Sequence, residues 1–132
     1  MLKHVATLDI DSAFRCCPIL PSQQCNFIIY WNGLYYIDHD APFGAISASS
    51  FFGRVADAKS VILKLKKIGP SKNWVNNFIF FRFPITLIPI PTFSYSLTDI
   101  YALVKRLGWP WKESKTRPFS KEFTYLCFIC RS

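Results

Sequence analysis

The sequence predicts an α+β fold: an antiparallel sheet with two helices packed on one face, plus a β-hairpin. Three observations lead there. Apolar residues follow extended-chain patterns near the start, around residues 74–83 and near the end. Twice the pattern changes to helical spacing, from Ser49 and from Ser96. An Asn-Gly pair joins two aromatic and β-branched runs in "FIIYWNGLYYID". The resulting order is strand, hairpin, helix, hairpin, helix, strands, without repeats or low-complexity segments.

Each element has its own local cause. "HVATLDIDSAF" is β-rich and runs into a turn after two carboxylates. Asn32-Gly33 is the preferred pair for a type I′ turn, because both residues accept positive φ. Phe51, Val55, Ala58, Ile62 and Leu65 fall at 4, 3, 4, 3 spacing and define the expected buried stripe of the first helix. Lys64, Lys66 and Lys67 suit its C-terminal dipole, and Gly69-Pro70 stops it. "NWVNNFIFFRF" returns to extended structure, with the Asn pair expected between two short strands. "ITLIPIPTF" is punctuated by proline and reads as a connector, not a central strand. Ser96-Leu97-Thr98-Asp99 resembles a capping box, and Leu97, Ile100, Val104 and Leu107 form the second helical stripe up to Gly108. The tail "EFTYLCFIC" is β-rich again.

Composition narrows the functional classes. Hydrophobic residues are 51% and aromatics 17% of 132 residues, more than one small core readily buries, so part of that surface is expected to await a partner or an absent segment. A formal net charge of +8 favours polyanions such as nucleic acid or an acidic membrane surface. No apolar leader opens the chain, since Lys3, His4, Asp9 and Asp11 interrupt it, and the run from Phe78 to Phe93 is broken by Arg82 and prolines. The expectation is a soluble, intracellular protein of cytoplasm or nucleus, not a membrane protein. Five cysteines without regular spacing point to reduced thiols. Cys127 and Cys130 in "CFIC" have zinc spacing but no second pair in register, so structural thiols are the preferred reading.

"WVNNFIFF" poses the chemical question: two adjacent amides interrupt an apolar run. A hairpin turn is one answer, since Asn tolerates positive φ. The other comes from four segments taken together. "LDIDSAFRCCPI", "YYIDHDAPFGAISAS", "WVNNF" and "LGWPWKESKTRPFSKEFTYLCF" resemble, in order and spacing, the palm motifs of reverse transcriptases of retroelement type. The resemblance covers nearly the whole chain. It implies a ferredoxin-like polymerase palm over residues 1–132, with fingers and thumb absent, and RNA-directed DNA polymerisation as the family activity.

That activity uses two divalent ions, and hard cations such as Mg²⁺ require anionic oxygens. By resemblance, Asp9 is the first metal-binding carboxylate and the Ile10 carbonyl a further oxygen. Phe14 matches the aromatic beneath the nucleotide sugar. Pro42-Phe43-Gly44 matches the turn beside the incoming nucleotide, and Lys115 a lysine near its phosphates. The partner implied is an RNA or DNA template-primer.

Asn76 and Asn77 depart from the pattern, for the family places two aspartates there. Spacing and hairpin are kept while both charges are lost. One unit-charge contact is worth about 4 kcal/mol at an effective dielectric near 20, so two such losses are expected to abolish tight Mg²⁺ binding and most activity. Asp11, Asp38 and Asp40 are the nearby acids; Asp38 and Asp40 are expected to face water. Cys127 stands where related sequences carry Gly. The chain therefore reads as a degenerate palm, with two alternatives: a non-catalytic nucleic-acid-binding module, or a small interaction protein with an exposed apolar face.

Overall fold

The computed structural model describes residues 3–126 and 128–131. Its elements are β1 (His4–Asp9), β2 (Ile28–Trp31), β3 (Leu34–Ile37), α1 (Ala48–Leu65), β4 (Ser71–Trp74), β5 (Asn77–Arg82), β6 (Pro84–Thr86), β7 (Thr92–Phe93), α2 (Leu97–Arg106), β8 (Arg117–Ser120), β9 (Glu122–Tyr125) and β10 (Phe128–Arg131). Short 3₁₀ segments cover Ala13–Cys16, Pro21–Asn26 and Glu113–Lys115. The chain packs as two compact units: Ser12–Val55 forms one, and the stretch up to Asp11 joins everything from Ala56 onward in the other.

The second of these, the sheet unit, holds a four-stranded antiparallel sheet of order β4-β5-β1-β8. Read along the chain, those strands and the two helices follow the β-α-β-β-α-β order of ferredoxin-like folds. β1 lies inside the sheet and is buried from Val5 to Asp9. Cross-strand partners share a face, so Ala6 and Leu8 meet Phe80 and Phe78 on one side, while Thr7 and Asp9 meet Ile79 and Asn77 on the other.

Both helices belong to the Phe78 side. The Lys59 ammonium of α1 sits 3.9 Å from the Trp109 ring, and Trp109, just beyond α2, stands edge-on to Phe78 at 6.5 Å. The α+β class, with its antiparallel sheet and helices on one face, is thus present.

α2 buries the centre of its expected stripe, Ile100 and Val104, while Leu97 is half-buried and Leu107, just past the helix end, is exposed. Its capping box is complete: the Ser96 Oγ accepts the Asp99 N–H at 3.2 Å, and the Asp99 carboxylate accepts the Ser96 N–H at 2.7 Å.

α1 corrects the sequence. Its buried positions are Ala48, Phe52, Ala56, Lys59 and Leu63, while Phe51, Val55 and Leu65 of the expected stripe are exposed. The true stripe contains a lysine, and a pattern drawn from apolar residues alone settles one position away from it. The proline-rich segment stays out of the main sheet but is more than a connector, for β6 and β7 pair as a ribbon.

In the Ser12–Val55 unit, β2 and β3 pair through Asn32-Gly33, whose φ values of 50° and 77° are those a type I′ turn needs. Among the described residues, no helix is long and apolar enough to cross a membrane.

Candidate functional site

β1 and β5 bring the first and third motifs together in the sheet unit. Asp9, the last residue of β1, pairs across with Asn77, the first of β5. The two-residue turn between β4 and β5 is Val75-Asn76, and the Ile10 N–H donates to the Asn76 carbonyl at 3.0 Å. That bond fastens the hairpin tip to the end of β1. The expectation that positive φ falls on an Asn is corrected here: Val75 takes φ 52°, and Asn77 is already strand. Backbone conformation therefore does not select the amides.

Their side chains act instead on Asp9. The Asn76 amide nitrogen donates to one Asp9 carboxylate oxygen, and the Asn77 amide donates to the Asn76 oxygen at 3.4 Å. The second Asp9 oxygen lies 3.0 Å from the Lys115 ammonium. Asp9 is only 4% exposed, so these donors replace most of its water.

Lys115 reaches this point through a local scaffold. The Lys112 N–H donates to the Asp9 carbonyl at 2.8 Å, the Asp11 N–H to the Pro110 carbonyl at 3.0 Å, and Ile10 bridges Trp111. A 3₁₀ turn then carries Lys115 back over the strand end, its N–H donating to the Lys112 carbonyl at 3.0 Å. A cavity of about 540 Å³ opens beside the group, lined by Asn76, Asn77, Lys115, Arg117 and Tyr125 as well as Asp9.

Arg117 and Tyr125 were missed in the sequence. Two-residue spacing from Lys115 puts Arg117 at the start of β8, a signal that was available. Tyr125 arrives through β9, which pattern alone does not place near β1. Burial pushes the Tyr125 phenol above its ordinary pKa, so it stays a protonated donor, reaching the Asn77 carbonyl at 3.5 Å.

Phe14 and Pro42-Phe43-Gly44 lie in the Ser12–Val55 unit. Phe14 sits in a 3₁₀ segment, edge-on to Phe43 at 5.3 Å and to Phe52 at 6.0 Å. Pro42-Phe43-Gly44 forms a turn in which Gly44 takes φ 88°, open to glycine without strain, and Phe43 is exposed. Ile10, in the sheet unit, is buried and joins the hairpin tip through its backbone.

Two of the other acids in these motifs are held in ion pairs. Asp11 pairs with Lys112 at 3.7 Å. Asp38 does not face water as expected: its side chain is 9% exposed and bound to the Arg15 guanidinium, while Asp40 is half-buried. Cys127 lies outside the described residues; Cys16, Cys17 and Cys25 are not disulfide-bonded.

No protein-family model matches the sequence. No curated protein matches it either. Solved structures do. A foamy viral protease-reverse transcriptase in complex with an RNA/DNA hybrid superposes with TM-score 0.72 at 22% identity, covering 96% of this chain and 16% of that one. The fold is reverse-transcriptase-like. A prototype foamy virus protease-reverse transcriptase mutant gives TM-score 0.73 at 18% identity, covering 98% of this chain and 16% of that one. A further foamy viral protease-reverse transcriptase, in complex with double-stranded DNA, gives TM-score 0.71 at 18% identity, with 96% and 20% covered. Within this reverse-transcriptase-like fold, the chain spans 16% to 26% of the length of the structures it matches.

Proposed function

We propose that this chain is a palm-type fragment related to reverse transcriptases, derived from a retroelement, that has lost nucleotidyl transfer. The observation that carries the reading is the set of groups around Asp9. A two-ion mechanism needs clustered anionic oxygens. Here one carboxylate stands alone, with one oxygen on an amide N–H and the other on an ammonium. Among the described residues, no group of three His, Cys, Asp or Glu is close enough to hold a metal. This donor set does not fit a pair of Mg²⁺ ions.

The reading is tested by primer extension with Mg²⁺ on RNA and DNA templates. Wild-type protein is expected to give no extension above an Asp9→Ala control. Extension that depends on Asp9 overturns the loss of catalysis.

A second reading, non-catalytic binding of nucleic acid, is favoured by a separate observation. Lys64, Lys67 and Lys72 line one hollow of about 660 Å³ at the C-terminal end of α1, with Ser60, Ser71 and the apolar Val61, Ile68 and Pro70 beside them and no acidic residue in the lining. Such a surface suits a phosphate backbone. The foamy viral structures include complexes with an RNA/DNA hybrid and with double-stranded DNA, which supports a polynucleotide as the partner class.

A further inference from the structure

We propose that Lys115 is the resident counter-ion of Asp9, so that a tethered ammonium closes this pocket to divalent cations independently of the two amides. The inference deepens the palm reading above and rests on it. Loss of acids explains why ions would bind weakly; it does not explain how a buried carboxylate is kept without them. Asp9 has a side chain only 6% exposed, and a buried anion needs a compensating charge as well as hydrogen bonds. Asn76 supplies a dipole, and Lys115 supplies the charge, at 3.0 Å.

The backbone that carries the ammonium is also fixed beside the acid. Its turn is bonded to Lys112, and Lys112 donates to the carbonyl of Asp9 itself, so the strand end that carries the acid positions its partner. The Lys115 side chain as a whole is 60% exposed, so solvent partly screens its attraction to Asp9. A divalent ion approaching Asp9 would have to displace this charge or sit beside it, and both are unfavourable. Restoring the two acids alone therefore leaves the site half closed.

Mn²⁺ binding, followed by electron paramagnetic resonance and calorimetry, tests this in wild-type protein, in Asn76→Asp/Asn77→Asp, and in that pair combined with Lys115→Met. Wild-type protein is expected to show no Asp9-dependent binding. The triple variant should bind Mn²⁺ at least about tenfold more tightly than the double. Equal, measurable affinities in double and triple variants overturn the counter-ion proposal and leave the palm reading intact. A folded triple variant that binds no Mn²⁺ overturns the palm reading and, with it, the counter-ion proposal that rests on it. Should the triple variant not fold, thermal denaturation decides. Lys115→Met should lower Tm in the wild-type background by more than in an Asp9→Asn background, and equal falls overturn the proposal.

Discussion

Val75 holds a φ of 52° at the tip of the β4–β5 hairpin, a conformation that a β-branched side chain takes only under constraint. Residues held there cost about 1–3 kcal/mol, and the strand register with its Ile10–Asn76 hydrogen bond enforces it here. Val75→Gly is accordingly expected to raise stability by about 1 kcal/mol, read as a higher urea midpoint at unchanged slope. A lower midpoint would show that the valine side chain contributes more than its backbone costs. This residue also marks the limit of what the sequence disclosed. Asp9, Asn76 and Asn77 were legible as neighbours because the resemblance carried by their two motifs implies it, and the β1–β5 register brings them together. Assigning positive φ to Asn was wrong because the pairing of Trp74 with Asn77 sets the turn, not the tolerance of individual residues. The ion pairs Lys115–Asp9 and Arg15–Asp38 were illegible, since each joins side chains from separate segments whose approach depends on the completed fold.

At the scale of elements, α2 and α1 show opposite outcomes from the same rule. α2 carries its own start signal and buries Ile100 and Val104 at the centre of its apolar stripe, so pattern and packing agree there, with Leu107 at the end left exposed. α1 has two competing stripes, and the apolar one faces outward. The buried stripe was hidden by Lys59, whose ammonium lies 3.9 Å from the rings of both Trp109 and Trp111 and 4.9 Å from that of Phe78. Ring faces attract a desolvated cation by about 2 kcal/mol, which lets a lysine occupy a core position that hydropathy would deny it. Neighbouring phenylalanines separate the two stripes experimentally. Phe52 is fully buried, and Phe52→Ala is expected to cost about 3–5 kcal/mol through the cavity it leaves. Phe51 is 58% exposed, and Phe51→Ser should change stability by no more than about 0.5 kcal/mol. Denaturant unfolding of both variants checks the register; equal losses would mean that the outward stripe is covered after all.

For the whole molecule, a net charge of +8 and a large exposed apolar surface respond to salt in opposite ways. The β2–β3 hairpin leaves Ile29, Tyr30, Trp31 and Tyr35 49–77% exposed, the kind of surface that like charge keeps from associating. Raising salt shortens the screening length to about 8 Å at 0.15 M, which weakens repulsion between copies and attraction to phosphates together. Self-association, followed by sedimentation, should therefore increase between low and high salt, while binding of a single-stranded oligonucleotide, followed by fluorescence anisotropy, should decrease. Neutralising Lys64, Lys67 and Lys72 to Gln should reduce the slope of log affinity against log salt by about 2, since each phosphate contact on a single strand contributes roughly 0.7. The same variant should associate with itself more readily at low salt, because its net charge falls while the hairpin is untouched. Oligonucleotide binding with an unchanged slope would remove the lysine hollow from the nucleic-acid reading. A variant that stays as monodisperse as wild type would show that charge is not what holds the apolar hairpin apart.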